Sequence, residues 1–279
     1  MLQSSTSVAT EPRQPRRLIA AAVGVALIIE LVAAVALLTR GPNSSAPAAV
    51  PAHPLVLVDR GAPPGLAARV GAEMPGAVDA VTAFWGEHWP TDVVVVLTGT
   101  DADFAAQTGQ PTRDWRGVAA VSVADSVDVQ RGEAAGQRIV LAPGATAMSE
   151  SALRIVLRHE LFHYAARSST APDAPRWLVE GVADYVGRPA APRPGPGVLP
   201  AALPTDAELD AGGRQGSLAY DRAWWFARFV ADEYGPPGLR RLYSQACGPA
   251  HPGPDQSARV ALGVGLDDLL SRWQRWLAG

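Results

Sequence analysis

The chain has 279 residues, a formal net charge of −3 and only 18% charged residues. There is no basic excess and no interleaving of basic with aromatic residues, which excludes a nucleic-acid partner on electrostatic grounds. A single cysteine, Cys247, excludes an internal disulfide framework.

Residues 1–17 are polar, with Arg13, Arg16 and Arg17 against one acid, Glu11, and read as a cytoplasmic tail. Residues 18–38 then run apolar with Glu30 as the one charge. A bilayer-spanning helix needs about 20 apolar residues, so this run is expected to be a transmembrane helix. The arginines ahead of it predict an N-terminus in the cytoplasm and the remainder of the chain outside the cell membrane. A signal peptide has a shorter apolar core of about 7–15 residues. Cleavage at Ala34-Val35-Ala36 or within residues 44–49, giving a secreted protein, is the alternative. Residues 39–54 are rich in Pro, Ser and Ala and read as a linker.

The stretch 55–147 reads as a small mixed sheet with helices. Residues 55–58 are a short first strand. Residues 64–89 have helical spacing, broken at Pro75. Residues 93–97, Val-Val-Val-Val-Leu between Pro90 and Gly99, form the clearest strand, buried on both faces. Residues 101–107 read as a short helix capped by Asp101. Two further strands, 118–123 and 138–141, are joined by a polar turn containing glycine.

The stretch 148–279 is mostly helical, so the expected fold class is α+β, a sheet lobe followed by a helical lobe. Residues 148–167 contain no Pro or Gly, and Ser149 or Ser151 can cap their start. Inside them lies His159-Glu160-Leu161-Phe162-His163. On a helix, positions i and i+4 share a face, so His159 and His163 can point two imidazoles at one ion. Glu160 sits beside them, placed to reach a water on that ion. A catalytic zinc site has three protein ligands and an open position. Glu180, seventeen residues after His163, offers the third ligand from a second helix beginning after Pro175. Asp184, one turn on, shares its face and can accept the second N–H of a ligand histidine, assigned to His159. The donors, two imidazoles and a carboxylate, predict Zn2+ as the cofactor.

Beyond that helix, residues 188–216 are rich in Pro and Gly. Residues 218–234 return to helix and stop at Gly235-Pro236-Pro237. Residues 239–245 and 266–277 are the last helices, and their aromatic side chains at helical spacing read as core. Cys247 falls in a Gly/Pro-rich loop and reads as an inert thiol.

H-E-x-x-H followed by Trp177-Leu178-Val179-Glu180-Gly181-Val182-Ala183-Asp184-Tyr185 resembles the gluzincin superfamily of zinc metallopeptidases, the thermolysin-like group. The likeness covers residues 138–243. It implies His159, His163 and Glu180 as zinc ligands, Glu160 as the catalytic base and Asp184 as the residue behind a ligand. It also implies an edge strand above the metal that pairs with extended substrate; residues 138–141 fit that place and residues 118–123 compete for it. Ala219-Tyr220-x-x-Ala223 is similar to the segment that supplies a cleft tyrosine, which makes Tyr220 a second catalytic residue. The expected activity is hydrolysis of a peptide or protein substrate. The aminopeptidase signature G-x-M-E-N is absent, which points toward an endopeptidase. The rival reading, a membrane-tethered domain that binds zinc or an envelope partner without turnover, gives Glu160 no role.

Overall fold

A computed structural model describes residues 53–90, 92–194, 197 and 202–279. The chain begins with β1 (Leu55–Arg60), α1 (Leu66–Trp85) and β2 (Val93–Thr98). The two strands pair in parallel, which requires a crossover, and α1 supplies it. The helix runs straight through Pro75, where the sequence predicts a break. Pro75 is exposed, while Val70, Met74, Ala77, Val81 and Phe84 bury one continuous stripe on either side of it. Packing along that stripe outweighs the hydrogen bond that proline removes.

α2 (Asp101–Gln107) follows, capped by Thr100 rather than Asp101: the Thr100 side chain accepts the Asp103 amide, and Asp101 lies in the first turn. Next come β3 (Ala120–Val123), β4 (Ser126–Asp128), β5 (Glu133–Ala135) and β6 (Arg138–Leu141). The polar turn between the predicted strands is itself a hairpin, β4 with β5. It carries the chain out and back, so that β6 enters the sheet between β2 and β3 in the order β1-β2-β6-β3. β6 runs parallel to β2 and antiparallel to β3. The edge position expected of residues 138–141 is therefore corrected: β6 is paired on both sides, and β3, like β1, is an outer strand.

The helical part consists of α3 (Glu150–Ala166), α4 (Arg176–Gly187), α5 (Asp206–Leu209), α6 (Gly213–Cys247), α7 (Pro254–Leu262) and α8 (Leu266–Ala278). α5 stands inside the Pro/Gly-rich stretch, closed by a capping box of Thr205 and Glu208. α6 joins two predicted helices. Only Gly235 leaves helical geometry, at φ 74° and ψ 160°, and Pro236 and Pro237 open the next turn. Cys247 is the last residue of α6 and is buried, not in a loop. α7, which begins at Pro254 and buries Ser257, Ala258 and Ala261, goes unpredicted.

The fold is α+β, and one apolar cluster runs from α1 and the inner face of the sheet through α3, α4, α6 and α8. Phe162 is fully buried at its centre, edge-on to Phe84, Trp85 and Tyr243. The membrane part of the expected architecture is corrected. Among the described residues no helix is long and apolar enough to cross a membrane. Residues 18–38, where the sequence places the span, lie outside the described residues, as do the tail 1–17 and most of the linker. The placement in the cell membrane, with its cytoplasmic N-terminus and outward domain, rested on that helix and is withdrawn.

Candidate metal centre

α3 starts at Ser149, whose side chain accepts the Ala152 amide. Every residue from His159 to Ala166 is buried, because α1, β3 and α4 surround the helix. α4 lies against it and is itself pressed onto α6. Gly181, next to Glu180, permits that approach: a Cβ there would stand 2.4 Å from the Ala223 carbonyl oxygen. Gly181→Ala is expected to cost about 2 kcal/mol or more through overpacking. A thermal melt checks it, with Tm falling by roughly 4 °C or more.

The predicted ligands converge. His159 Nε2 and His163 Nε2 are 2.9 Å apart. Glu180 Oε2 lies 3.5 Å from the first and 3.8 Å from the second. A tetrahedral ion about 2.0–2.1 Å from each donor needs donors about 3.3 Å apart, and these separations bracket that value. Both Glu180 oxygens are buried without a hydrogen-bond partner among the described residues. Burial raises the Glu180 carboxyl, against the pull of His159. Buried, unsatisfied carboxylate oxygens facing two imidazole nitrogens fit a cation. Together the three side chains can hold a metal ion.

Asp184 stands where the helical spacing puts it: its Oδ1 is 2.9 Å from His159 Nδ1. That fixes the ring with Nδ1–H toward the carboxylate and Nε2 toward Glu180 and His163. Asp184 is held in turn. Its Oδ2 lies 2.6 Å from Arg188 Nη2, and Arg188 Nη1 donates to Asp221 at 2.7 Å. The guanidinium lies over the Trp224 ring. Burial pushes the Asp184 carboxyl up, but the charges of Arg188 and His159 outweigh it and hold the group low. Sequence reasoning missed Arg188. Its place four residues after Asp184, at the cap that ends α4, was the available signal.

Glu160 is fully buried beside the ligands, and its Oε2 accepts the Ser122 backbone amide at 2.7 Å. Its Oε1 is buried without a hydrogen-bond partner among the described residues. Burial raises this carboxyl to about 8, opposed by the charge of His159 and the Ser122 amide. No pattern in the sequence points to Ser122. Tyr220 sits on α6 with its hydroxyl buried and, among the described residues, without a hydrogen-bond partner. Burial and the negative charge of Glu180 and Asp184 hold the phenol well above its ordinary value. No hydrogen bond joins it to the ligand set.

Burial alone would pull His159 down, but its hydrogen bond to Asp184 and the Glu180 carboxylate 3.5 Å away raise it to about 10. At neutral pH the metal-free site therefore carries a proton on His159, and an incoming ion must displace it. Apparent metal affinity is expected to strengthen as pH rises from 6 to 8, by about tenfold per unit for each proton released. Calorimetric titration in two buffers of different ionisation enthalpy checks it. A pH-independent affinity with no proton release would show His159 neutral before binding.

Comparison of the chain with protein-family models and with curated proteins finds no match, so the functional reading rests on the geometry of these residues.

Proposed function

We propose that this chain is a zinc-dependent peptidase of the gluzincin type, acting on internal peptide bonds. The observation that carries the reading is Glu160. A site that only holds a metal has no use for a second buried carboxylate with one oxygen anchored and the other free beside two imidazoles and Glu180. Two nitrogens and one carboxylate oxygen leave a fourth position open, the donor set of catalytic zinc. Once bound, the ion supplies Lewis acidity and lowers the pKa of a water toward about 7.

The chain's own residues do the rest. Glu160 takes a proton through Oε1 as the water oxygen adds to the scissile carbonyl carbon. It returns that proton to the amine nitrogen as the C–N bond breaks. Asp184 keeps His159 in the tautomer whose Nε2 lone pair faces the ligand set, and Arg188 keeps Asp184 ionised. The Tyr220 hydroxyl donates to the oxyanion that develops on the carbonyl.

The test is metal analysis of the full chain with hydrolysis of a mixed peptide library, before and after a chelator. One zinc per chain and chelator-sensitive cleavage within the peptides are expected. A zinc-loaded chain that cleaves no peptide would overturn the reading.

A further inference from the structure

Arg167 lies four residues beyond His163, in the short 3-10 turn Arg167–Ser169 that extends α3. Its Nη2 donates to the carbonyl oxygen of Ser122 at 2.5 Å. The amide of the same Ser122 donates to Glu160 Oε2 at 2.7 Å. Both backbone groups point off the outer side of β3. In an antiparallel pair, alternate residues turn N–H and C=O toward the partner strand. The Ala119 carbonyl accepts the Ala142 amide. That puts Ala119, Val121 and Val123 in the set facing β6, and Ser122 in the outward set.

An outer strand ordinarily leaves such groups open to water or to another strand. Here the metal helix and its extension occupy both. Arg167 accomplishes this at a cost: among the described residues it makes no ion pair, and its Nε is buried without a hydrogen-bond partner. Withdrawing a guanidinium from water without a carboxylate in contact is unfavourable. The charge of Glu160 favours the guanidinium there, so the placement ties Arg167 to Glu160 as well as to Ser122.

We propose that Arg167 is a positioning residue for the general base. By pinning the Ser122 carbonyl to the end of α3, it fixes β3 in the register that holds the Ser122 amide against Glu160 Oε2. One carboxylate oxygen is thereby immobilised, and Oε1 is left as the one that exchanges the proton. The kinetic consequence rests on the peptidase reading; the clamp does not.

The test compares the zinc-loaded full chain with Arg167→Met and Arg167→Lys. Arg167→Met is expected to bind zinc within about twofold of the parent, against the roughly 10–100-fold loss that disturbing a ligand's own partner brings. Its kcat on peptide should fall about 10- to 100-fold with KM nearly unchanged, as for a reacting group displaced by about 1 Å. Arg167→Lys, which keeps a donor for the carbonyl, should recover most of the rate. Amide NMR reads the clamp without turnover. The Ser122 proton should move upfield and exchange at least about tenfold faster in Arg167→Met, the consequence of losing about 1.4 kcal/mol of hydrogen bonding, and return in Arg167→Lys. Should Arg167→Met not fold, Arg167→Leu, which also lacks a donor, takes its place with the same expectations. A parental kcat without the guanidinium, a lysine variant no better than methionine, or an unmoved Ser122 amide would each overturn the proposal. If the parent cleaves no peptide, the peptidase reading falls, and the Ser122 amide alone decides the clamp.

Discussion

Glu160→Gln is expected to keep its metal and lose hydrolysis by about 10²–10⁴-fold, the range removed with a general base. The substitution preserves volume and keeps an oxygen for the Ser122 amide, so the anchor at 2.7 Å can persist. What disappears is the acceptor for the water's proton. Metal affinity should change little, because the ligand set is His159, His163 and Glu180. Steady-state kinetics with parallel metal analysis separates the effects. A variant with zinc bound and parental kcat would remove Glu160 from the mechanism. A variant without zinc would instead place it among the ligands.

His163→Ala and Glu180→Gln are expected to abolish both metal binding and hydrolysis, and their stabilities should reveal why. A ligand present at a thousand times its Kd stabilises the folded chain by about 4.1 kcal/mol. For a domain of this size that is roughly 8–16 °C in Tm. The parent should gain that shift on adding zinc, and the variants should gain none. Metal-free Glu180→Gln should melt no lower than the metal-free parent. It replaces a fully buried carboxylate, both oxygens lacking hydrogen bonds, with a neutral group of the same shape. A zinc-dependent Tm in that variant would show that Glu180 is not a ligand. A large loss of metal-free stability would show that its charge serves the fold rather than the ion.

Much of this centre was legible along the chain because its spacing is helical. His159 and His163 on one helix, and Glu180 and Asp184 on the next, are each four residues apart, and that spacing alone sets which face they share. The strand at 93–97 was legible for a similar reason, since an unbroken β-branched run suits only a doubly buried strand. Pro75 misled because a helix's fate depends on what its apolar stripe meets, and that partner lies far along the chain. The edge strand misled because strand order is not written in any one strand: the hairpin of β4 and β5 reverses the path and inserts β6 beside β2. The expected transmembrane helix rested on a hydropathy run outside the described residues, and no described helix repeats it.

By itself, then, the sequence determined which side chains share a helical face, and hence two halves of a candidate ligand set with Glu160 between them. Only the tertiary structure decided that the halves meet, with Glu180 Oε2 within 3.8 Å of both imidazoles. It alone brought the Ser122 amide to Glu160, Arg167 to the Ser122 carbonyl, and Arg188 to Asp221. The physical reason is range: local periodicity orients a side chain on its own element, whereas the distance between elements follows from how their apolar faces and glycines let them pack.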